Sequence, residues 1–501
     1  MVATNRSLFS WDDVENLPDL KRLSLVLNYI PDEKIVQTME KKRGNGRDDF
    51  PVRSMWNAVI AGIVFQHESI ESLIRELSRN PKLLTVCGFD PIPVQRKPTA
   101  RIVKNQETGA VDVVYPETET PRYKIPSSWN FSRFLENLIE LEKDQRLISN
   151  MVPRLREELM KVLPDFGKHL GYDGKAIESY STGQVNKKIE KTSDPDADWG
   201  KHETAGVDRR TGKIWKKTKT WFGYTLHLIA DTQYEIPVSF SIAPASVSEH
   251  VELENLITKT MEETLSIPER CQDFCADRGL DSGKIKAFLW DKYKIRPMIP
   301  CRELWREEKK NDPQYDPSKP VTRSLFPSRV DTIVYTEKGT VHCVCPKAGI
   351  QRDLAFQGFE DSRNTLKYRC PAAAYGLNCE GKAECHCLGG VSPGEYGRIV
   401  RINILVRATD RTKENRRIFV PTPFDSPSWG RGYNRRSSLE RINSRLDNDF
   451  CFEKHYIRGR AKMQTRMGLS MVVIMAMALG HIKEGRKAQI RSLVRPLSKA
   501  A

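Results

Sequence analysis

Three acidic residues, Asp173, Asp277 and Glu440, occupy positions from which a sequence can build a cradle for divalent cations. Cleaving a phosphodiester without a covalent enzyme intermediate calls for two hard cations about 3.5–4 Å apart, one at the attacking and one at the leaving oxygen. Mg²⁺ takes carboxylate oxygens and keeps several waters, so two or three acidic side chains suffice. Strand ends, where a rigid backbone aims them, and a facing helix are the natural seats. Asp173 lies in Tyr172-Asp173-Gly174, at the end of an expected strand over 169–177. Asp277 lies in Ala276-Asp277-Arg278-Gly279, where a strand over 273–276 gives way to a helix. Asp beside Gly is also a common turn, so neither motif carries the chemistry alone. Glu440 falls on an expected helix over 433–446, four residues after Arg436, and the two share a face. Arg suits phosphate because its planar fork donates two parallel hydrogen bonds.

The elements that must hold these residues can be read from hydrophobic spacing. Residues 1–95 read as helical, with 52–65 and 69–77 the clearest stretches, and 91–126 as a Pro-rich loop. A helical stretch over 131–163 precedes the first strand. A polar loop over 181–212, strands over 221–230 and 236–243, and a helix from Ser248 to Leu265 follow. After the strand ending at Asp277 come a helix over 282–293 and a strand over 295–299. The expected fold class is therefore α/β. The chain divides into a helical region 1–165, a core 166–300 interrupted by a polar, cysteine-bearing insertion 301–397, a second core part 398–485 and a basic tail 486–501. Regular structure is expected to resume with a strand over 398–406, and the apolar run 467–482 to form a buried helix.

Taken together, the acidic blocks resemble those of the DDE-type transposases of bacterial insertion sequences. The first block is Gly171-Tyr172-Asp173-Gly174 and the second runs from Phe274 to Ser282 around Asp277. The third is a helix with Tyr433, Arg436 and Glu440 at the family's intervals. Residue 447 is Asp where the family places Lys, which leaves Arg441 or Arg445 as substitutes for that cation. The resemblance covers about 130–300 and 400–480. It implies a ribonuclease H-like mixed sheet interrupted by the insertion, two Mg²⁺ or Mn²⁺ ions held by Asp173, Asp277 and Glu440, and hydrolysis followed by strand transfer at the element's ends. A nuclease that cuts without joining and an inactive DNA-binding relative are the alternatives.

Charge agrees with a nucleic-acid partner. The net charge is +16, and residues 401–501 carry 22 Lys and Arg against 8 Asp and Glu. A clustered positive field attracts polyanions and displaces their counterions. Tyr433, Arg435, Arg436, Arg441, Arg445, Lys454, Arg458, Arg460 and Lys462 are the candidate contacts to double-stranded DNA, both element ends and target. The helical region 1–165, with 127–138 resembling the N-terminal segment of related transposases, is the candidate end-binding module, and a homodimer would pair the ends. A mean hydropathy of −0.54 and 29% charged residues argue against a membrane protein, and a cytoplasmic location is the expectation.

Two further groups call for an account. Six of eleven cysteines fall between Cys343 and Cys387: Cys343, Cys345, Cys370, Cys379, Cys385 and Cys387. A structural zinc ion and a set of free thiols are the two readings, and the Cys-x-Cys spacing does not choose between them. Asp194, Asp196 and Asp198 alternate as in a calcium loop but lack its Gly and distal Glu, so they read as a solvated loop. Asp281, close to Asp277, could support that residue or cap the next helix, and the N-cap is the preferred reading.

Overall fold

The computed structural model describes residues 18–44, 49–92, 101–104, 111–114, 123–183, 192–207, 211, 214–305, 311, 321–326, 332–385, 399–405 and 415–491. Among the described residues, five helices come first: α1 (Pro18–Tyr29), α2 (Glu33–Arg43), α3 (Val52–Val64), α4 (Ile70–Arg79) and α5 (Pro81–Cys87). A hairpin, β1 (Arg101–Lys104) with β2 (Val111–Val114), lies within the stretch expected to be loop. The expected single helical stretch over 131–163 is two helices, α6 (Ser128–Gln145) and α7 (Met151–Val162). Ser127 starts α6 with a capping box: its Oγ accepts from Asn130 N, and its own N–H donates to Asn130 Oδ1.

The main sheet has β3 (His169–Glu178) at its centre. Antiparallel to it runs β5 (Ile214–Asp231), and antiparallel to β5 runs β6 (Ile236–Pro244). On the other side of β3, β7 (Asp273–Cys275) and then β8 (Arg296–Met298) pair in parallel. The first half of β5 extends beyond this core and pairs with β4 (Asp198–Val207). The expected polar loop over 181–212 therefore contains a strand. It escapes a hydrophobicity reading because a hairpin projecting beyond the core has no apolar face to alternate with. The crossover from β6 to β7 is made by α8 (Glu249–Glu263) and α9 (Ser266–Arg270), and α10 (Gly283–Ala287) follows β7. The architecture is mixed α/β.

Beyond β8 the chain builds two small sheets. One has β9 (Thr322–Ser324), β10 (Ile333–Thr336), β11 (Val341–Val344) and β12 (Gln351–Asp353), all antiparallel. The other has β13 (Ala355–Glu360), β14 (Thr365–Arg369) and β15 (Ile399–Asn403), with α11 (Pro371–Tyr375) between the last two. The strand expected to resume the core at 398 thus closes the three-stranded sheet instead. The helices α12 (Asn415–Ile418), α13 (Pro427–Asn434), α14 (Ser437–Asp449) and α15 (Arg460–Lys483) return to the main body.

Two apolar cores result. One runs from Leu20 to Ile490 and joins the N-terminal helices, the main sheet and α15. The other, a dozen buried side chains from Trp290 to Phe419, lies under the two small sheets. α15 is buried on every side from Met467 to His481, as expected for its uncharged run, and packs on α1, α7 and β6. It is long and apolar enough to cross a membrane, but 89% of its most apolar window is buried within the protein.

Candidate active site

The register of two strands places the first pair of carboxylates. β3 and β7 run parallel with His169 beside Asp273 and Gly171 beside Cys275. Asp173 stands two residues further along β3 and Asp277 two residues past the end of β7, at the start of a 3-10 turn, and the two are close enough for the Asp277 charge to act on the Asp173 carboxyl. Side chains alternate along a strand, so Gly171, Asp173 and Lys175 share one face of the sheet.

That face carries α14, and Gly171 lets the helix come down. A Cβ at Gly171 would lie 2.7 Å from Cys275 Sγ, 2.8 Å from Thr232 Cγ2 and 3.0 Å from Leu439 Cδ1. Leu439 is fully buried there. One turn later Asn443 Nδ2 donates to Asp173 Oδ2 at 2.7 Å, and one turn after that Lys175 Nζ donates to Asp447 Oδ2 at 2.6 Å. Helix steps of four residues, about 6 Å, match strand steps of two, about 6.7 Å, so 439, 443 and 447 ride over 171, 173 and 175. Glu440 follows Leu439 directly and stands at the exposed rim of the same cleft, where Arg436 Nη2 donates to its Oε1 at 2.7 Å.

The helix expected over 433–446 is broken at Arg435 and Arg436. Gly432 lets α13 pack against β8, since a Cβ there would sit 3.2 Å from Met298 Cγ and Sδ. The chain then turns, with Ser438 N and Oγ donating to Arg435 O, to aim α14 along β3. Arg436 thus precedes α14, yet it keeps its pairing with Glu440.

Electrostatics tie the group together. Burial lifts the Asp173 carboxyl to about 6; the Arg436 cation opposes that shift, while Asp277, Glu249 and Glu440 add to it. For Arg436 itself burial works against the charge, but Tyr433, Glu440 and Asp277 outweigh it and raise its pKa. Glu249, which the sequence reading passed over, opens α8 and brings its Oε1 2.6 Å from where a Gly174 Cβ would lie. This is the close approach for which Gly174 leaves room. Asn443 and Lys175 were also passed over; Lys175 is visible in hindsight as the residue two along the strand from Asp173.

The donor set is the kind that hard divalent cations take: several carboxylates with one cation among them, plus Asn443 Oδ1, which is buried without a hydrogen-bond partner. Among the described residues, no three Cys, His, Asp or Glu are drawn tightly enough around one point to hold an ion. Glu440 is the outlying member, held by Arg436 and 59% exposed.

The expected DNA contacts divide by what they touch. Tyr433 stacks on Trp429, ring centres 5.0 Å apart. Arg435 lies 3.5 Å from Asp273. Arg441 Nε donates to Glu235 Oε1 at 2.8 Å and Arg445 Nη2 to Glu235 Oε2 at 3.0 Å, so both anchor α14. The cation beside Asp447 is Lys175, neither of the two arginines that the sequence offered. Arg458 Nε donates to Tyr180 O at 2.5 Å and Arg460 Nε to Ile242 O at 2.9 Å.

Other expectations change. Asp194 is fully buried, accepting from Tyr224 Oη, Ser179 Oγ and Gly459 N, and is a clasp between β5 and the start of α15. Asp281 does not cap: Ser282 Oγ accepts from Lys284 N, while Asp281 pairs with Lys286 and Arg417 at 2.6 Å each. Cys343, Cys345, Cys370, Cys379 and Cys385 line one pocket; Cys387 lies outside the described residues.

The cleft is a carboxylate site on a mixed sheet, with an arginine-bearing helix along its rim. Comparison of the sequence with protein families matches a transposase DDE domain over residues 196–476, more than half of the chain. The chain belongs to that family. Asp277 and Glu440 lie within the matched residues, and Asp173 lies before them. No curated protein and no solved structure matches.

Proposed function

We propose that the protein is a ribonuclease H-like DNA transposase in which Asp173, Asp277 and Glu440 hold two Mg²⁺ or Mn²⁺ ions. The observation that carries this reading is the parallel pairing of β3 and β7, whose last pair, Gly171 with Cys275, stands two residues before Asp173 and Asp277, with α14 and its Glu440 packed over Gly171. The sheet order β6-β5-β3-β7-β8, three antiparallel strands and then two parallel, supports the ribonuclease H-like part. The ions, when bound, would activate the attacking oxygen and stabilise the leaving one.

This chain's own groups do the rest. Asp173 projects from the middle of β3, and Asp277 stands exposed two residues past the end of β7. Asn443 orients Asp173 through its 2.7 Å hydrogen bond. Arg436 balances the carboxylates and, with Tyr433, faces the incoming phosphate strand. Arg441 and Arg445 are committed to Glu235, which leaves Arg435, Arg458 and Arg460 as the candidate phosphate contacts, of the kind that position a duplex without reading its bases. Water opens the bond at the element's end, and the 3′-hydroxyl released attacks a target phosphodiester. Two copies would pair the two ends.

The test uses duplexes carrying the inverted repeats that flank the coding region. Wild-type protein with Mn²⁺ is expected to nick them and to join a pre-cleaved end to target DNA. Asp277→Asn should abolish both. Nicking by Asp277→Asn at the wild-type rate overturns the reading, and nicking without joining by the wild type leaves a nuclease.

A further inference from the structure

The cysteine pocket under the two small sheets carries an inference independent of the acidic cleft. Cys343 lies on β11 and Cys345 just after it, two residues on, so both point to one side. Cys370 follows β14, and Cys379 and Cys385 lie in the loop after α11. All five line the same pocket, whose remaining wall includes Ile333, Ile350, Leu354 and Val400. None of them is in a disulfide.

The turn after Cys345 is shaped for an anionic sulfur. Ala348 N donates to Cys345 Sγ at 3.5 Å, and Gly349, at φ +64°, turns its N–H back to Cys345 O at 2.8 Å. From the opposite loop, Gly381 approaches so closely that a Cβ there would lie 2.7 Å from Cys345 Sγ. Successive backbone N–H groups converging on a sulfur form the anion-binding concavity that thiolate–metal centres use. Five sulfurs gathered in one pocket would repel one another as thiolates without a cation between them.

We propose that this pocket is a structural zinc site in which Cys345, Cys370, Cys379 and Cys385 are the four ligands. These four lie in turns and loops that can contract to the roughly 2.3 Å zinc–sulfur distance, whereas Cys343 is fixed in a strand behind them. Contraction is required, since no three described donors yet stand at ligating distance of one point. The ion would tie the four-stranded sheet, through Cys345, to the three-stranded sheet, through Cys370. The core between them is only a dozen side chains, the size at which a metal staple matters.

Full-length protein, purified in reductant without chelator, is assayed for metal by mass spectrometry and for free thiols by titration. About one zinc per chain is expected, lost in Cys345→Ser and Cys379→Ser and retained in Cys301→Ser, which lies outside the pocket. Because a serine variant can lose zinc by misfolding, Co²⁺ is also exchanged into the wild type; intense sulfur-to-cobalt charge-transfer bands with tetrahedral d–d absorption are expected. Wild-type protein that holds no zinc and gives no thiolate–cobalt bands overturns the proposal. So does zinc retained in both serine variants, or a deficit of free thiols that reductant restores, which marks a disulfide.

Discussion

Two acidic groups beside α14 are treated in opposite ways. Glu235 is 4% exposed and receives Arg441 at 2.7 Å, Arg445 at 3.0 Å and Arg491 at 3.4 Å. Its backbone sits at φ +59°, a conformation that non-glycine residues rarely adopt and that this clasp over-determines. The charges that act most on Asp173, on β3, are one cation, Arg436, against three other carboxylates, while Lys175 on the same face is taken up by Asp447. The first arrangement is saturated and fixes the helix; the second is short of positive charge and suits cations that arrive from solution. Buried charge in proteins is normally paired, so the unpaired group is the one to suspect of binding.

The contrast can be broken from either end. The largest effect belongs to the deficient site: Asp173→Asn and Asp277→Asn should each lower strand cleavage at least about a thousandfold, measured in single-turnover assays. Next comes the saturated site. Glu235→Gln leaves three guanidinium groups facing a neutral amide and should cost about 2–4 kcal/mol, read from urea denaturation. Cleavage should fall in step, because α14 then aims Glu440 less well.

Smaller and opposite in sign is the stability effect at Asp173. A carboxyl held near 6, above its unfolded value, binds its proton more tightly in the folded state. Its contribution to stability is complete below about pH 4 and is lost as pH rises through about 6. Asp173→Asn removes that loss, so the variant should be more stable than wild type at pH 8, by up to about 3 kcal/mol, and no more stable at pH 4. Urea midpoints at the two pH values check it; a variant less stable at both would contradict the charge-deficient account. Least of all is expected from Asp447→Asn, which opens a partly exposed pair with Lys175 and should cost about 1 kcal/mol or less.

Much of the framework around the candidate site was legible because it rests on local rules. The strand through Asp173 and the strand just before Asp277 show as short apolar runs beside Gly, although β3 continues past Asp173 to Glu178, and the run 467–482 reads as the buried helix that the structure has there. What escaped depended on partners remote in sequence. Glu235 reads as an ordinary turn residue until Arg441, Arg445 and Arg491, over 200 positions away, converge on it. Asn443 and Glu249 carry no motif; they matter because Gly171 and Gly174 admit a helix on one side and a carboxylate against the other. The break before α14 was hidden because Tyr433, Arg436 and Glu440 keep helical spacing across it. β15 was misassigned because an alternating strand does not name its neighbour, and its pairing with β14 is a tertiary choice.

The central claim is best tested by anomalous diffraction at the manganese edge from crystals of the protein soaked in Mn²⁺. The account predicts peaks in the cleft within ligating distance of the Asp173 and Asp277 carboxylates, with Glu440 turned from Arg436 toward them. Manganese that binds elsewhere and leaves those carboxylates without an ion would contradict it.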